Sequence, residues 1–228
     1  MVPCPIGGNA PDEVLPAVNR EVLGGLDYFI VEDLRSARRF LSSVRIGRPI
    51  DTLEFALLNE HTSPVELEGM LKPLTDGRSA GVISEAGVPG VADPGADLVR
   101  LCHKKGIRVV PLTGPSSILL ALMACGLNGQ SFAFNGYLPI KSPDRERAIK
   151  FFERRAQTER QTQAFIETPY RNLKLYGDLL AVCTPQTQLT LAVNIQQPDE
   201  FIRTMTVGEW RSEPTPDMHK KPAVFLIL

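Results

Sequence analysis

The sequence predicts an α/β protein organised as two α/β domains. Short apolar runs of strand length alternate with amphipathic stretches of helical period, the pattern of layered helices and sheets. The second half repeats the style of the first. Its last apolar runs follow one another with only turns between them, which implies a mixed sheet there. Neither an internal repeat nor a low-complexity tract interrupts the pattern.

In the first half, Val14, Leu15, Val18, Val22, Leu23 and Leu26 share one face, so residues 12–26 read as one helix. Residues 28–31 read as a strand, 34–44 as a helix, 53–57 as a short strand and 65–74 as a helix. Residues 80–84 form a buried strand that runs into a Gly/Pro-rich loop. The helix over 96–105 is closed by Gly106, a residue free to take the left-handed conformation that ends helices. Val109 and Val110 read as part of the next strand, and residues 118–125 as a helix. The Thr113-Gly114-Pro115 turn between them is expected to divide the chain into domains 1–113 and 114–228.

In the second half, residues 131–137 read as a strand. Ser142 then caps a helix with Pro143 in its first position. A strand over 163–167 leads to Thr168-Pro169, which reads as the same cap-and-proline device opening a further helix. Strands are expected over 188–194, 201–207 and 223–228. The chain stops inside the last of these and begins almost on its VPCPIGG loop. That leaves little room for an opening strand, which is compatible with a trimmed or mis-assigned start.

Hydrophobic residues make up 43% and charged residues 22% of the 228, enough for a sizeable core. The formal net charge of −1 provides no global field for nucleic acid, so RNA binding would need a local basic patch. Cys4, Cys102, Cys125 and Cys183 are dispersed and form no C-x-x-C pair, which points to free thiols in a reducing compartment. The scattered His61, His103 and His219 lack zinc-ligand spacing, and no metal is expected. The start carries no signal-peptide pattern, and the longest apolar stretch, 118–125, is too short to span a bilayer. A cytoplasmic protein with no membrane partner is expected.

The segment most informative about chemistry is Ser84-Glu-Ala-Gly-Val-Pro-Gly-Val-Ala-Asp-Pro-Gly95. It follows a buried strand and precedes a helix, the place where open α/β sheets bind ligands. It has neither the G-K-[ST] of a phosphate loop nor the G-x-G-x-x-G of a dinucleotide loop. Glu85 and Asp93 put negative charge where a phosphate would sit, so a cationic ligand with hydroxyl and amine donors fits better. On composition alone, such a loop also reads as a plain connection.

Several segments in order resemble one family. ISEAGVPGVADPG is similar to the I-S-D-A-G-T-P-x-x-x-D-P-G signature of the tetrapyrrole methylase superfamily, in particular its branch that methylates ribose 2′-hydroxyls of small-subunit ribosomal RNA. Val2-Pro-Cys-Pro-Ile-Gly7 resembles V-P-T-P-I-G, and Glu32-Asp-Leu-Arg35 resembles E-D-T-R. Ile107-Arg-Val-Val-Pro-Leu-Thr-Gly-Pro115 resembles I-x-V-x-P-x-P-G-P. Gly136-Tyr-Leu-Pro-Ile-Lys-Ser142 resembles G-F-L-P-x-K-S, and Glu167-Thr-Pro-Tyr-Arg171 resembles E-S-P-H-R. The chain departs from the pattern at Glu85 (usually Asp), at Leu34 (usually Thr), at Asn194-Ile-Gln-Gln-Pro198 (R-E-L-T-K in that branch) and at Lys221-Pro-Ala-Val.

The resemblance implies two α/β domains with a cleft between them for S-adenosylmethionine, and a homodimer. It implies that the cofactor is lined by Ser84, Glu85, Ala86, Gly87, Val88, Pro89, Gly114, Pro115, Ser116 and Ser117, with Pro5 facing the methyl group. A ribose hydroxyl must lose a proton as it is methylated, so a base or an alkoxide-stabilising cation is needed. The candidates are Glu32, Asp33, Arg35 and Lys141. Glu32-Asp33 equally reads as the acidic start of a helix, Arg35 as a surface ion pair and Lys141 as a solvated loop lysine. The basic stretch of Lys141, Arg145, Arg147, Lys150, Arg154, Arg155 and Arg160 reads either as an RNA contact or, given its interleaved acids, as a solvated helix face. Three functions stay open: a ribose methyltransferase acting on ribosomal RNA, a methylase of a tetrapyrrole or other small molecule, and a non-catalytic paralogue that still binds the cofactor.

Overall fold

The computed structural model describes residues 1–228 and divides into two compact units, Met1–Ser116 and Ser117–Leu228. The first holds a three-stranded parallel sheet in the order β2-β1-β3, with β1 at Tyr28–Val31, β2 at Glu54–Leu57 and β3 at Ala80–Ile83. All four β1 residues are buried because both faces are covered. Phe29 and Val31 pack with Leu23, Phe40 and Leu41, whereas Tyr28 and Ile30 pack with Leu67, Leu71 and Leu98. An unbroken apolar run is what a strand with two covered faces requires.

Helices α1 (Pro11–Val14) and α2 (Ala17–Gly24) replace the single helix expected over 12–26. Leu15 is extended at φ −110° and ψ 136°, as the residue before Pro16 is pushed to be, and the apolar face resumes after the proline. Helix α3 (Leu34–Val44) starts on the Asp33 carboxylate, which accepts the Ser36 N–H at 2.7 Å, and buries Ala37, Phe40, Leu41 and Val44. Helix α4 (Pro64–Thr75) starts on a capping box. Ser63 Oγ accepts the Glu66 N–H while Glu66 accepts the Ser63 N–H at 2.7 Å. Helix α5 (Ala96–Lys104) ends before Gly106, at φ 70°.

The strand expected at Val109-Val110 does not form. The backbone hydrogen bonds of that stretch go to the first residue of the chain, with Met1 N–H donating to Val110 O at 2.9 Å and Leu112 N–H to Met1 O at 3.0 Å. One facing residue is too little to propagate a ladder.

The second unit is a mixed five-stranded sheet in the order β4-β5-β8-β6-β7, comprising β4 (Phe132–Tyr137), β5 (Thr162–Glu167), β6 (Gln188–Val193), β7 (Phe201–Thr206) and β8 (Ala223–Ile227). Strands β4 and β5 are parallel and the other pairs antiparallel. Central β8 is buried at every position. Helices α6 (Ser117–Cys125), α7 (Ser142–Glu159), α8 (Asn172–Val182) and the short α9 (Val207–Trp210) complete the unit. Trp210 is fully buried, and its indole N–H donates to Leu189 O at 2.8 Å.

Two expected caps are corrected. Lys141, not Ser142, stands at the start of α7 without a side-chain cap, and Ser142 Oγ instead bonds Glu146 at 3.0 Å. Thr168-Pro169 forms a turn, with Thr168 O accepting the Arg171 N–H at 2.9 Å, so α8 begins at Asn172.

Candidate functional site

The loop after β3 is tied to the N-terminal loop by a pair of backbone bonds and by the Cys4 thiol, which donates to Ser84 O at 3.4 Å. Cys4 N–H donates to Gly87 O at 2.8 Å and Gly87 N–H to Cys4 O at 3.2 Å. Gly87 needs its positive φ of 71°, which disfavours any side chain. A Cβ added there would also meet Ile6 Cγ2 at 3.6 Å and Pro115 O at 3.8 Å, so the 113–116 turn faces this loop. Gly114 is required for a different reason: a Cβ would lie 2.3 Å from the Pro3 ring. Ser84, Gly87 and Pro89 are buried, Val88, Gly114, Pro115 and Ser116 half-buried, and Glu85 and Ala86 exposed. Pro5 is half-buried between the buried Cys4 and Ile6. These residues therefore converge in the first unit.

Glu32, just past β1, joins them. Its carboxylate accepts the Glu85 N–H at 3.2 Å, and its own N–H donates to Ile83 O at 3.2 Å. Burial raises the Glu32 carboxyl above its ordinary range, against the bond from Glu85, and Asp93, Glu85 and Asp33 push it further. Asp93 is raised by burial and by Glu85, against a hydrogen bond from Ser84. The rise is opposed by hydrogen bonds, from the Glu85 N–H at Glu32 and from Ser84 at Asp93. Glu32, Glu85 and Asp93 thus crowd negative charge together, an imbalance that adds to burial in raising Glu32 and Asp93. A sulfonium or ammonium relieves that imbalance, and a phosphate aggravates it. The Cys4 thiol is pushed up to about 12 by burial and by Asp93, so it offers no thiolate nucleophile.

The four candidates for proton chemistry differ in what holds them. Asp33 is lowered by its bonds from Ser36, so its carboxylate serves the start of α3. Arg35 is exposed on the first turn of that helix. Lys141, in the second unit, is exposed at the start of α7, and Ser117 opens α6. The loop carrying Lys141 is fixed by Arg145. The fully buried Arg145 side chain donates to Pro139 O at 2.8 Å, Ile140 O at 2.7 Å and Asp178 Oδ2 at 2.9 Å. Arg145 is therefore neither an RNA contact nor part of a solvated face, as the sequence had suggested. Where the ribosomal branch carries R-E-L-T-K, Asn194 Nδ2 bonds Asp199 at 2.8 Å, and Lys221 pairs with Asp199 at 2.9 Å and Asp217 at 2.7 Å. These residues bind one another: one lysine pairs with two aspartates, and an asparagine bonds one of the two.

Sequence reasoning named Asp93 with Glu85 as the loop's negative charge but not its coupling to Glu32, and it did not single out Arg145 as a clamp. The D-P-G and K-S-x-x-R fragments were the available signals. A cavity of about 760 Å³ lies elsewhere along β3, lined by Met1, Ala80, Val82, Leu98, Cys102 and Val110, and touches none of residues 84–89.

No family model matches the sequence. It is 36% identical over 209 residues to "Ribosomal RNA small subunit methyltransferase I" of Escherichia coli O157:H7, covering 92% of this chain and 69% of that protein. Against the protein of the same name from Vibrio cholerae serotype O1 it is 33% identical over 231 residues, covering 100% and 75%. Among solved structures, the methyltransferase CobJ superposes with a TM-score of 0.63 at 17% identity, covering 96% of this chain and 89% of that one. A uroporphyrin-III C-methyl transferase from Thermus thermophilus, complexed with S-adenyl homocysteine, gives 0.54 at 18% identity, covering 98% and 94%. These structural likenesses establish a shared fold.

Proposed function

Because the chain belongs to the ribosomal RNA small subunit methyltransferase I family and is thereby an S-adenosylmethionine-dependent methyltransferase, we propose that its acceptor is a ribose 2′-hydroxyl of small-subunit ribosomal RNA. The observation that carries the reading is the seat of residues 84–89: glycine-shaped backbone faced by the 113–116 turn and flanked by mutually repelling carboxylates. That charge suits the cationic cofactor. When bound, S-adenosylmethionine supplies a methyl group already activated on a positive sulfur.

The protein's own work is then to hold, orient and take up a proton. Residues 84–89 and 114–117 are read as the cofactor's lining, with Pro5 beside the methyl group. Glu32 is the best base of the four candidates. It is the one whose carboxyl is raised toward working pH while joined to the cofactor loop. Asp33 is occupied as a cap. Lys141 is read as the cation that steadies the developing alkoxide. The likeness to the family further suggests a homodimer. The four free buried cysteines suit the cytoplasm, where ribosomal RNA is made.

The test is methyl transfer from labelled S-adenosylmethionine to ribosomal RNA from cells lacking this protein, with cofactor affinity measured by calorimetry. Label should appear on a ribose oxygen. Glu32→Gln should lose about 10²–10⁴-fold in turnover while cofactor affinity changes only a few-fold. Cofactor binding without label on RNA would sink the acceptor assignment, and label on a tetrapyrrole would replace it.

A further inference from the structure

We propose that the outer face of α3 is where the phosphate backbone of the acceptor RNA docks. The inference rests on the RNA reading above and adds where the RNA lies. Residues 34–48 contain Arg35, Arg38, Arg39, Arg45 and Arg48 and no acidic residue. At about 100° per residue, Arg35, Arg38, Arg39 and Ser42 fall on one stripe, opposite the buried Ala37, Phe40, Leu41 and Val44. The charge of the three arginines is only partly answered: Arg35 lies near the Asp33 carboxylate, Arg38 stacks over the Phe55 ring at 5.5 Å and reaches Asp51 at 3.7 Å, on a carboxylate side chain that is 91% exposed, and Arg39 forms no ion pair.

The stripe is extended at its far end. Arg45 ends α3 in the left-handed conformation at φ 57°, and its carbonyl accepts Arg20 Nε at 3.1 Å, which draws a further guanidinium from α2 alongside. Arg48 is anchored there by a bond to Leu26 O at 2.8 Å.

Local helix physics disfavours this arrangement. Arg35 and Arg38, and Arg35 and Arg39, are like charges at i,i+3 and i,i+4 spacing. Arg35 also stands in the first turn, at the positive end of the helix dipole. Cations held against those preferences call for an anion from outside. The choice of arginine points to phosphate, whose oxygens match the planar fork of donors. In a chain of net charge −1, such a local stripe is what can hold a polyanion.

Its position fits the chemistry. Helix α3 begins two residues after Glu32, whose carboxylate is bonded to the cofactor loop at Glu85. The stripe therefore starts beside the candidate base and runs about 16 Å along the 11-residue helix.

The experiment compares the full chain with Arg38→Gln/Arg39→Gln, leaving Arg35 intact because of its closeness to Glu32. The probe is deproteinised small-subunit ribosomal RNA from cells lacking this protein, bound across a salt series. The double variant should bind about tenfold more weakly at low salt. The slope of log affinity against log salt should fall by about 1.4, the loss of two single-strand phosphate contacts. Melting temperature, cofactor affinity and turnover at saturating RNA should stay unchanged, while KM for RNA rises. Arg38→Lys/Arg39→Lys should keep the slope. Unchanged RNA affinity and slope in the glutamine variant would overturn the proposal. So would a loss confined to anionic phosphatidylglycerol vesicles. A wild-type protein that binds RNA through α3 yet labels no ribose would refute the acceptor reading and leave this one standing.

Discussion

Helices α3 and α7 are both rich in basic residues, and their charges meet opposite fates. In α7, Arg155 pairs with Glu159 at 3.0 Å four residues on, and Arg147 pairs with Asp144 three residues back. Arg145 is buried in a clamp of two carbonyls and Asp178. The acid of the same helix that turns inward, Glu153, accepts from the Thr184 N–H at 2.6 Å and from the Thr187 hydroxyl. In α3 no acid occurs at helical spacing from Arg38 or Arg39, and the buried face is wholly apolar. Similar density of cations thus gives a helix where several charges serve the fold in one case and mostly outward-facing charges in the other. Spacing of the acids, not the number of bases, makes the difference.

The largest effect that would sharpen this contrast is on Arg145. Arg145→Met should cost about 3–5 kcal/mol in denaturant unfolding, because it leaves Asp178 and two carbonyls without their buried partner. A loss below 1 kcal/mol would show that α7's charge is not committed to the fold. Glu153→Leu should cost about 1–3 kcal/mol, the penalty for stranding buried donors at Thr184 and Thr187. Glu153→Gln should restore most of it, since the amide oxygen still accepts. Equal losses in both variants would mean that packing, not hydrogen bonding, holds that corner.

The same contrast marks what the sequence could reveal. Strand β1 was legible because both its faces are covered, which demands four apolar residues in a row. Helix α3 was legible from its period and from Asp33. The layered α/β class and the mixed second sheet followed from those alternations. What failed depended in part on partners far along the chain and in part on local turns. Val109-Val110 has strand composition but faces one residue of backbone. Thr168-Pro169 has the composition of a helix start, yet its carbonyl closes a turn first. Arg145 sits in an alternating acid-base run that reads as surface, and only the packing of Asp178 beneath it shows otherwise. At the candidate site the loop was legible from its glycines. The coupling of Glu32 to Asp93 was not, because 61 positions of sequence separate two carboxylates that the sheet brings near each other.

A smaller effect tests the first unit's counterpart to Glu153. Glu32 is raised in the folded state, so its charged form is disfavoured by folding. The stability present when it is protonated is lost as pH rises through its folded value. Glu32→Gln should therefore raise the melting temperature near neutral pH. Partial exposure and solvent screening hold the gain to a fraction of a kcal/mol, about 1–2 °C. The gain should vanish below pH 4.5, the ordinary value, where both states hold the proton. A fall in melting temperature at neutral pH would mean that the bond from Glu85 outweighs the repulsion around the cluster.

The smallest expected effect is the sharpest control. Arg147→Gln/Arg154→Gln removes two exposed cations from α7, one already paired with Asp144. Stability should change by less than about 0.5 kcal/mol, as exposed ion pairs contribute little. RNA affinity and its salt slope should match wild type, although the formal charge lost equals that lost in the α3 variant. If instead both double variants weaken RNA binding alike, the RNA senses total charge, and the placement of acids along the two helices decides nothing about where it binds.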